Sequence, residues 1–345
     1  MKTLAIIGAS YLQRPLVEKA QEMGLRTICF AWAEGAVCKD LCDRFYPVSV
    51  TEKEEILRIC REERIDGVCT IASDVAAPTV AYVAEQMGLT GNTYEAAKRA
   101  NNKYLMRKAL MRAGVDCPAF TCVSEGVREL GIRELGMPLI VKPADRSGSL
   151  GVQKIDRWED LEAAVQTAEQ LSIAGEAMIE EFIEGREISV EMISCRGVHY
   201  ALQITDKVTT EAPHFVELEH HQPSTLPATM QEHIFAITRR ALDALGLTEG
   251  ASHSEYKITR EGRIVVMEIG GRMGGDFIGS HLVQLSTGYD FLRGVIEVAL
   301  GETIHPQPKP IGRSSVVFTA PENVSCSAER TGYCIYQNDK LVVKE

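Results

Sequence analysis

Several patterns that define whole classes of protein are absent from this 345-residue sequence. No apolar run approaches the length of a membrane span, and no internal repeat or low-complexity tract is present. The ten cysteines are scattered without CxxC spacing, mostly inside apolar runs, which is typical of reduced structural thiols in a cytoplasmic protein. The formal net charge of −11 argues against nucleic acid as a partner, because phosphate binding needs a basic surface.

Two nucleotide-binding signatures are also missing. The first apolar run leads into GASYLQ at 8–13, which is not the GxGxxG pattern of a dinucleotide site. A Walker A loop, GxxxxGK[ST], does not occur. The hydrophobic content of 45% and the charged content of 25% are ordinary for a globular enzyme, and the length suffices for two or three lobes.

Residues 1–98 alternate short β-rich runs with amphipathic helices, which favours a doubly wound parallel sheet. Strands are predicted at 3–8, 26–32 and 66–72, and helices near 13–23, 51–63 and 75–87. The opening MKTLAIIGAS is too short for a signal peptide, and we interpret it as the first buried strand. Ligands of such sheets bind beyond the carboxyl ends of the strands, where Asp74 lies, so Asp74 is a candidate substrate residue.

The rest of the chain is predicted to mix helices with antiparallel strands. One long basic helix is predicted from Thr93 to Ala113. Strands are predicted near 138–142, 152–155 and 177–182, two antiparallel strands within 186–204, a core-packing helix at 228–246 and two helices within 278–300. We interpret 205–227 as a polar loop, and a proline-rich segment and a short β-rich tail close the chain.

The segment IVVMEIGGRMGGD, from Ile264 to Asp276, is the most informative. Its apolar strand leads to Glu268, and Glu255 lies upstream in SHSEYKI, separated from it by the turn REGR. This pattern predicts a β-hairpin with both carboxylates at the same end of a sheet. A carboxylate there needs a partner or a cation, and paired oxygen ligands suit Mg²⁺. The alternative is two surface glutamates on a solvated hairpin.

The segment PLIVKPADRSGSLGV, at 138–152, is a candidate phosphate site. Lys142 ends a predicted strand and can bind phosphate as a point charge. The loop that follows contains Ser147, Gly148, Ser149 and Gly151. Glycines let backbone N–H groups approach a phosphate, and serines add hydroxyl donors. The alternative is a glycine-rich turn after a surface lysine.

A third segment, EAMIEEFIEGREISVE at 176–191, joins two predicted strands through an acidic turn. Extended backbone of this kind can offer one N–H and one C=O to an adenine edge, and Glu187 can accept hydrogen bonds from ribose hydroxyls. The alternative is an ordinary acidic surface turn.

In their order and spacing these segments resemble the ATP-grasp superfamily over roughly residues 95–300. The resemblance implies an α/β protein with a two-lobed ATP-grasp fold, in which α+β lobes clamp ATP, after the N-terminal doubly wound parallel sheet. The implied divisions are an N-terminal α/β domain at 1–98, a linker helix at 99–114, a small lobe with the glycine-serine loop at 115–185, a large lobe with the metal and substrate site at 186–312 and a β-rich tail at 313–345.

The resemblance also implies roles for individual residues. It places Lys103 and Lys142 on the ATP phosphates, with the 147–151 loop as a lid above them. It places Glu180, Glu181 and Ile183 at the adenine and Glu187 at the ribose. It places Glu255 and Glu268 on Mg²⁺, or on Mn²⁺ in its place. In many members an asparagine two residues after the second metal glutamate is a further ligand. Here that position is Gly270, which leaves the metal shell open to water or substrate.

The sequence EIGGRMGGD is most similar to the carboxylate–amine ligases that join amino acids. This similarity implies that Arg272 holds a substrate carboxylate or acyl phosphate, with Glu217, His220 and Gly275 also at the substrate. Alternatively, Arg272 pairs with a neighbouring carboxylate such as Asp276, and the segment around Glu217 and His220 is a solvated loop.

The implied reaction forms an amide through an acyl phosphate and releases ADP and phosphate, with Lys142, Glu268 and Arg272 as catalytic residues. The expected partners are small carboxylates and amines, and not nucleic acid or membrane, with a homodimer through the first sheet. Two other readings stay open: a purine-pathway enzyme acting on a ribonucleotide amine, and a non-catalytic ATP-binding sensor.

Overall fold

The computed structural model describes residues 1–124, 131–146, 150–210, 216–321, 324, 326 and 329–344. The helices are α1 (Arg14–Glu22), α2 (Lys53–Glu63), α3 (Ala77–Met87), α4 (Tyr94–Asn101), α5 (Lys103–Arg112), α6 (Leu161–Leu171), α7 (Ala228–Leu245), α8 (Val283–Thr287) and α9 (Phe291–Ala299), with 3₁₀ turns at Arg133–Leu135 and Trp158–Asp160 and a π-helical turn at Ile278–Leu282. The strands are β1 (Thr3–Ile7), β2 (Arg26–Phe30), β3 (Arg44–Tyr46), β4 (Gly67–Cys69), β5 (Phe120–Val123), β6 (Leu139–Pro143), β7 (Gln153–Ile155), β8 (Ala177–Glu181), β9 (Arg186–Cys195), β10 (Val198–Thr209), β11 (Glu217–Gln222), β12 (Gly250–Ile258), β13 (Ile264–Gly270), β14 (Ser314–Thr319), β15 (Gly332–Gln337) and β16 (Lys340–Lys344).

The N-terminal sheet is parallel, has the order β3-β2-β1-β4, and is covered on both faces. Side chains alternate along β1. Leu4 and Ile6 therefore pack with α1 and α9 on one face, while Ala5 and Ile7 pack with α2 and α3 on the other. The predicted doubly wound parallel sheet is confirmed.

Two antiparallel sheets follow. The smaller has the order β5-β8-β6-β7 and packs against α6. The larger has eight strands in the order β13-β12-β9-β10-β11-β14-β15-β16, so the C-terminal strands extend the sheet that contains the Glu255 hairpin. Helix α7 packs on one face of this sheet, and α9 packs between the other face and the N-terminal sheet.

The interpretation of 205–227 as a polar loop is wrong for two strands. Strand β10 continues to Thr209, and Glu217–Gln222 forms β11, which pairs with both β10 and β14. The polar side chains are satisfied inside the fold, as where the Gln222 amide donates to Thr205 Oγ1 at 2.9 Å. Because polar side chains of β11 contact other polar groups, β11 lacks the alternation of apolar and polar residues that predicts a strand.

The single long helix predicted from Thr93 to Ala113 is also wrong, because the chain breaks at Asn102. This residue is extended, with φ −101° and ψ 115°, and its side chain accepts a hydrogen bond from the Leu105 amide at 3.0 Å. Asparagine is a favoured N-cap because its side chain replaces a missing helical acceptor. Lys103 is consequently the first residue of α5, and its amide donates to the Ala144 carbonyl at 2.8 Å.

The segment that follows β13 forms a backbone bridge to the end of the N-terminal sheet. Ile71 and Met273 form a parallel bridge, and the Ala72 amide donates to the Met273 carbonyl at 3.1 Å. This contact brings the carboxyl edge of the N-terminal sheet to the segment that follows Glu268.

All ten cysteines are free thiols. Within the described ranges no helix has the length and apolar character needed to cross a membrane.

Candidate active site

The predicted hairpin is confirmed, and it places two carboxylates side by side. Glu255 on β12 is paired directly with Glu268 on β13, so both side chains leave the same face of the sheet. Each carboxylate contacts a lysine that lies outside the hairpin. Lys207 Nζ lies 2.7 Å from Glu255 Oε1, and Lys103 Nζ lies 3.0 Å from Glu268 Oε1.

Glu255 is ionised at neutral pH. Burial by itself would raise its pKa, but Lys207 and His253 together outweigh burial and lower the pKa well below the usual range. Lys207 also lies 3.1 Å from Glu217 Oε1, so this buried lysine joins two carboxylates at the edge of the site. An ionised carboxylate of this kind can serve as a cation ligand.

A buried pair lies behind Glu255. His253 Nε2 is 3.3 Å from Glu255 Oε1, and His253 Nδ1 makes a short hydrogen bond with Glu191 Oε1. Burial opposes protonation of the histidine, but the charge of Glu191 and the hydrogen bonds to Glu191 and Glu255 together outweigh burial and raise the pKa of His253 to about 9. The other Glu191 oxygen accepts the Gly274 amide at 3.0 Å. A Cβ at Gly274 would lie 2.6 Å from Glu191 Oε1, so this position requires glycine.

The two predicted phosphate lysines lie near each other and have different partners. Lys103 Nζ donates to the Arg146 carbonyl at 2.6 Å in addition to Glu268. Lys142 Nζ lies 2.5 Å from Glu180 Oε2, and Arg107 Nε donates to Glu180 Oε1 at 2.8 Å. Two cations thus share one buried carboxylate, which leaves an excess of positive charge in this part of the wall.

Both lysines open onto one cavity between the small antiparallel sheet and the hairpin. The predicted adenine and ribose residues Glu180, Ile183 and Glu187 line the same cavity, together with Glu217, Glu255 and Glu268. Glu187 lies 3.1 Å from Lys257 Nζ. Glu181 points elsewhere, because its carboxylate is bound by Arg263 at 2.8 Å and by the Ala119 amide at 3.1 Å.

The glycine-serine loop can be described only in part. Ser147, Gly148 and Ser149 lie outside the described residues. Gly151 has φ +74°, and a Cβ there would lie 2.7 Å from Leu171 Cδ1, so both the backbone and the available space require glycine.

Arg272 pairs with Asp74, and the alternative pairing with Asp276 is wrong. Arg272 Nε donates to Asp74 Oδ1 at 2.8 Å, and Nη2 donates to Oδ2 at 2.5 Å. Burial would raise the pKa of Asp74, but the charge and hydrogen bonds of Arg272, together with the charges of Lys103 and His253, outweigh burial and lower the pKa. A Cβ at Gly270 would lie 2.6 Å from Asp74 Oδ1. The ion pair therefore occupies the space that a side chain at position 270 would need.

His220 does not line the cavity that contains Lys103 and Lys142. Both of its ring nitrogens are buried without a hydrogen-bond partner among the described residues, and Asp276 Oδ2 lies 3.8 Å from Nε2. Burial lowers its pKa, which favours the neutral ring. Asp276 is bound instead by Arg330, at 2.7 and 2.9 Å. Gly275 lies against Ala72, which follows β4 of the N-terminal sheet, with its Cβ position 3.4 Å from the Ala72 Cβ.

The donor chemistry fits a hard divalent cation. Glu255 and Glu268 offer only oxygen, and no group of three or more metal-binding side chains was found in the part of the chain that the structure describes. Two protein carboxylates suit Mg²⁺, which keeps waters and substrate phosphates as its remaining ligands.

Sequence reasoning missed four charged residues of this site. They are Arg107, Glu191, Lys207 and Arg330. Arg107 had a usable signal, because it lies one helical turn from Lys103 on α5 and so shares its face. Lys207 lay in the segment interpreted as a loop, and Arg330 lies in the tail, so neither had a local pattern to mark it.

Comparison with known proteins agrees with this geometry. Residues 135–280 match the ATP-grasp domain family. The L-amino acid ligase from Bacillus licheniformis has a similar crystal structure, with a TM-score of 0.81 and 26% identity over 94% of this chain and 81% of that chain. The phosphoribosylglycinamide synthetase from Anaerococcus prevotii also has a TM-score of 0.81, at 19% identity over 98% of this chain and 94% of that chain. The second similarity shows the fold alone.

Among curated sequences, the alanine–anticapsin ligase of Bacillus subtilis is 29% identical over 246 residues, which cover 64% of this chain and 51% of that protein. The chain spans about half the length of the alanine–anticapsin ligases that it matches. The chain is thus similar to ATP-grasp domains over residues 135–280 and to ligases of amino acids, as the sequence motifs predicted.

Proposed function

We propose that this protein is an ATP-dependent carboxylate–amine ligase that forms an amide bond and releases ADP and phosphate. The proposal rests on one observation, a cavity whose wall contains both paired carboxylates and lysine ammonium groups. Glu255 and Glu268 provide paired oxygen ligands, and Lys103 and Lys142 provide ammonium groups close to them. A metal-bound triphosphate requires both kinds of group in one place.

In the first step a substrate carboxylate attacks the γ-phosphorus of ATP and displaces ADP. The task of the protein is to position the groups and offset charge, because phosphoryl transfer needs little covalent help. Glu255 and Glu268 would hold Mg²⁺, which would supply charge neutralisation at the phosphates. Lys142 leaves Glu180 for a phosphate oxygen, and Arg107 remains to keep the Glu180 carboxylate paired.

In the second step an amine attacks the carbonyl carbon of the acyl phosphate and phosphate leaves. Arg272 is the candidate for holding the acyl group, because it lies beyond the hairpin and carries a permanent charge. Asp74 orients the Arg272 guanidinium through two hydrogen bonds. Amino acids or similar small molecules are the proposed substrates, in line with the relatives named above, and the cytoplasm is the proposed location.

The test is a screen for ADP release with pairs of amino acids and other small carboxylates and amines in the presence of Mg-ATP. A ligase forms ADP and an amide in equal amounts, and only when both substrates are present. ADP formed only with a ribonucleotide amine together with bicarbonate or formate would point to a purine-type reaction. ATP binding without ADP formation from any pair would reject the ligase and indicate a sensor.

A further inference from the structure

The turn at 274–277, just beyond Arg272, contains two consecutive residues in a backbone conformation that side chains disfavour. Asp276 has φ +48° and Phe277 has φ +63°, so both are left-handed. This region is uncommon for residues other than glycine and is strained for a bulky side chain such as that of phenylalanine. Strain of this kind persists only where the surrounding structure holds it. The 274–277 turn must therefore be held by other parts of the chain.

Both strained residues are held by the C-terminal part of the chain. Arg330 Nη1 donates to Asp276 Oδ2 at 2.7 Å, and Nη2 donates to Oδ1 at 2.9 Å. The Tyr333 ring stacks on the Phe277 ring, with 4.1 Å between the ring centroids. Arg330 is itself fixed, because its guanidinium lies 3.9 Å from the centroid of the Phe318 ring. The conformation of the turn thus depends on residues that follow β14.

The start of the same turn is connected to the candidate metal ligands. The Gly274 amide donates to Glu191 Oε2 at 3.0 Å. Glu191 also binds His253, which contacts Glu255. A movement of the turn would therefore displace the Gly274 amide and disturb Glu191. It would also move Arg272, which lies two residues before Gly274.

The Arg330–Asp276 pair is difficult to break because the carboxylate is largely buried. Burial would raise the pKa of Asp276, but its interactions with His220 and Arg330 outweigh burial and lower the pKa. Loss of Arg330 would leave an ionised carboxylate beside the His220 ring, whose own pKa burial lowers. A buried charge without its partner is strongly destabilising. Asp276 would then leave its position, and the turn would lose the two bonds that hold it.

We propose that Arg330 is a positioning residue for the reaction. It acts through Asp276, holds the 274–277 turn in its left-handed conformation and so fixes the positions of Arg272 and the Gly274 amide. This inference rests on the ligase function proposed above, and it adds to that function a residue from the segment between β14 and β15.

The variant Arg330→Gln tests the inference. We expect kcat for ADP formation to fall by about tenfold, because a small displacement of positioned groups slows the chemical step. The KM for ATP should stay near the wild-type value, since the wall of the cavity that contains Lys103 and Lys142, as far as the chain is described, includes no residue from 272 to 277. A KM for ATP that rises as kcat falls would show a general support of the fold and would overturn the inference.

The matched control is Arg157→Gln. Arg157 binds Asp160 through two hydrogen bonds, each 3.0 Å long, on the surface of the small lobe. Its loss should change neither kcat nor the KM for ATP, because the pair holds no strained turn. A loss of kcat in the control equal to that in Arg330→Gln would overturn the inference.

A second background, Asp276→Asn, tests whether Arg330 acts through Asp276. Asparagine has the shape of aspartate, carries no charge and adopts the left-handed conformation more readily than most residues. The double variant Arg330→Gln/Asp276→Asn leaves no buried carboxylate without a cation, so it should fold even where Arg330→Gln does not. We expect the same kcat in Asp276→Asn and in the double variant. A further tenfold loss in the double variant would show that Arg330 acts by another route and would overturn the inference.

Hydrogen exchange separates this inference from the ligase proposal, because it requires no turnover. The measured quantity is amide exchange in a peptide that spans 270–278, which includes the Gly274 amide bound to Glu191. Exchange should be faster in Arg330→Gln than in the wild type and unchanged in Arg157→Gln. Faster exchange in Arg330→Gln without ligase activity in the wild type would keep the control of the turn by Arg330 and reject the ligase. Unchanged exchange in Arg330→Gln would overturn the inference even if the wild type is an active ligase.

Discussion

Glu191 and His253 form a buried pair directly behind Glu255, and the histidine connects that pair to the candidate metal ligand. Glu191 is fully buried and also holds the Gly274 amide. Groups that hydrogen-bond to metal ligands fix their orientation and tune their affinity. The pair therefore positions both the Glu255 carboxylate and the turn that follows Arg272.

His253→Asn should raise the Mg²⁺ concentration needed for half-maximal ADP formation by about tenfold, because Glu255 loses its orienting contact. The control is His199→Asn. His199 is also buried and contacts Ser194 and Asp243, at 2.7 and 3.2 Å, and the cavity wall does not include it. Equal Mg²⁺ requirements in the two variants would show that His253 only fills the core.

Glu268→Gln should retain the fold and sharply lower kcat, because it removes a charge from the candidate metal site. Glu219→Gln is the control, since Glu219 is a half-exposed partner of His221. ADP formation at limiting Mg²⁺ measures the effect. Wild-type rates in Glu268→Gln under these conditions would reject the metal assignment.

Lys142→Ala should raise the KM for ATP and lower kcat, because a phosphate contact acts in both the ground state and the transition state. Arg107 keeps Glu180 paired in this variant, so the fold should survive. Lys108→Ala, on α5, is the control. Unchanged ATP binding by calorimetry would show that Lys142 serves the structure and not the nucleotide.

Arg272→Lys should keep ATP affinity near wild type and lose most amide formation, since lysine cannot make two parallel hydrogen bonds to a carboxylate. Arg263→Lys provides a matched control, because Arg263 binds Asp116 with the same two-bond geometry at the surface. Thermal melts with and without Mg-ATP, beside the ligation assay, measure both effects. Loss of the ATP-induced shift in Arg272→Lys would indicate a structural role for the Asp74 pair.

Acid should weaken the interaction of Glu180 with Arg107 and Lys142 and so lower the free energy of unfolding. Burial opposes ionisation of Glu180, but Arg107 and Lys142 outweigh it and lower its pKa from 4.5 to about 2. A lowered pKa in the folded state means that the contribution to stability is complete above about pH 4.5 and is lost as the pH falls toward 2.

Denaturant unfolding of the wild type and of Glu180→Gln across that pH range measures this contribution. The free energy of unfolding should fall more steeply with acid in the wild type than in Glu180→Gln. Glu181→Gln, whose carboxylate contacts Arg263 at the surface, should keep the wild-type slope. Parallel slopes in the wild type and Glu180→Gln would contradict the predicted coupling.

Local sequence patterns were sufficient to predict much of the fold. The alternation of strands and helices in residues 1–98 predicted the parallel sheet, and the turn between two β-rich runs predicted that Glu255 and Glu268 would meet. These features depend on side-chain periodicity and on turn chemistry within a few residues, which a sequence displays directly. The ATP-grasp resemblance rested on the same short segments.

Only the tertiary structure decided which distant groups meet. Arg272 pairs with Asp74, which follows β4, and not with the nearby Asp276, because the Ile71–Met273 bridge brings the end of the N-terminal sheet to the end of β13. Helix α9 covers a sheet formed far earlier in the chain, and Asn102 broke a helix whose residues favoured continuity. Such choices depend on the packing of whole elements against one another, and no local window of sequence contains that information.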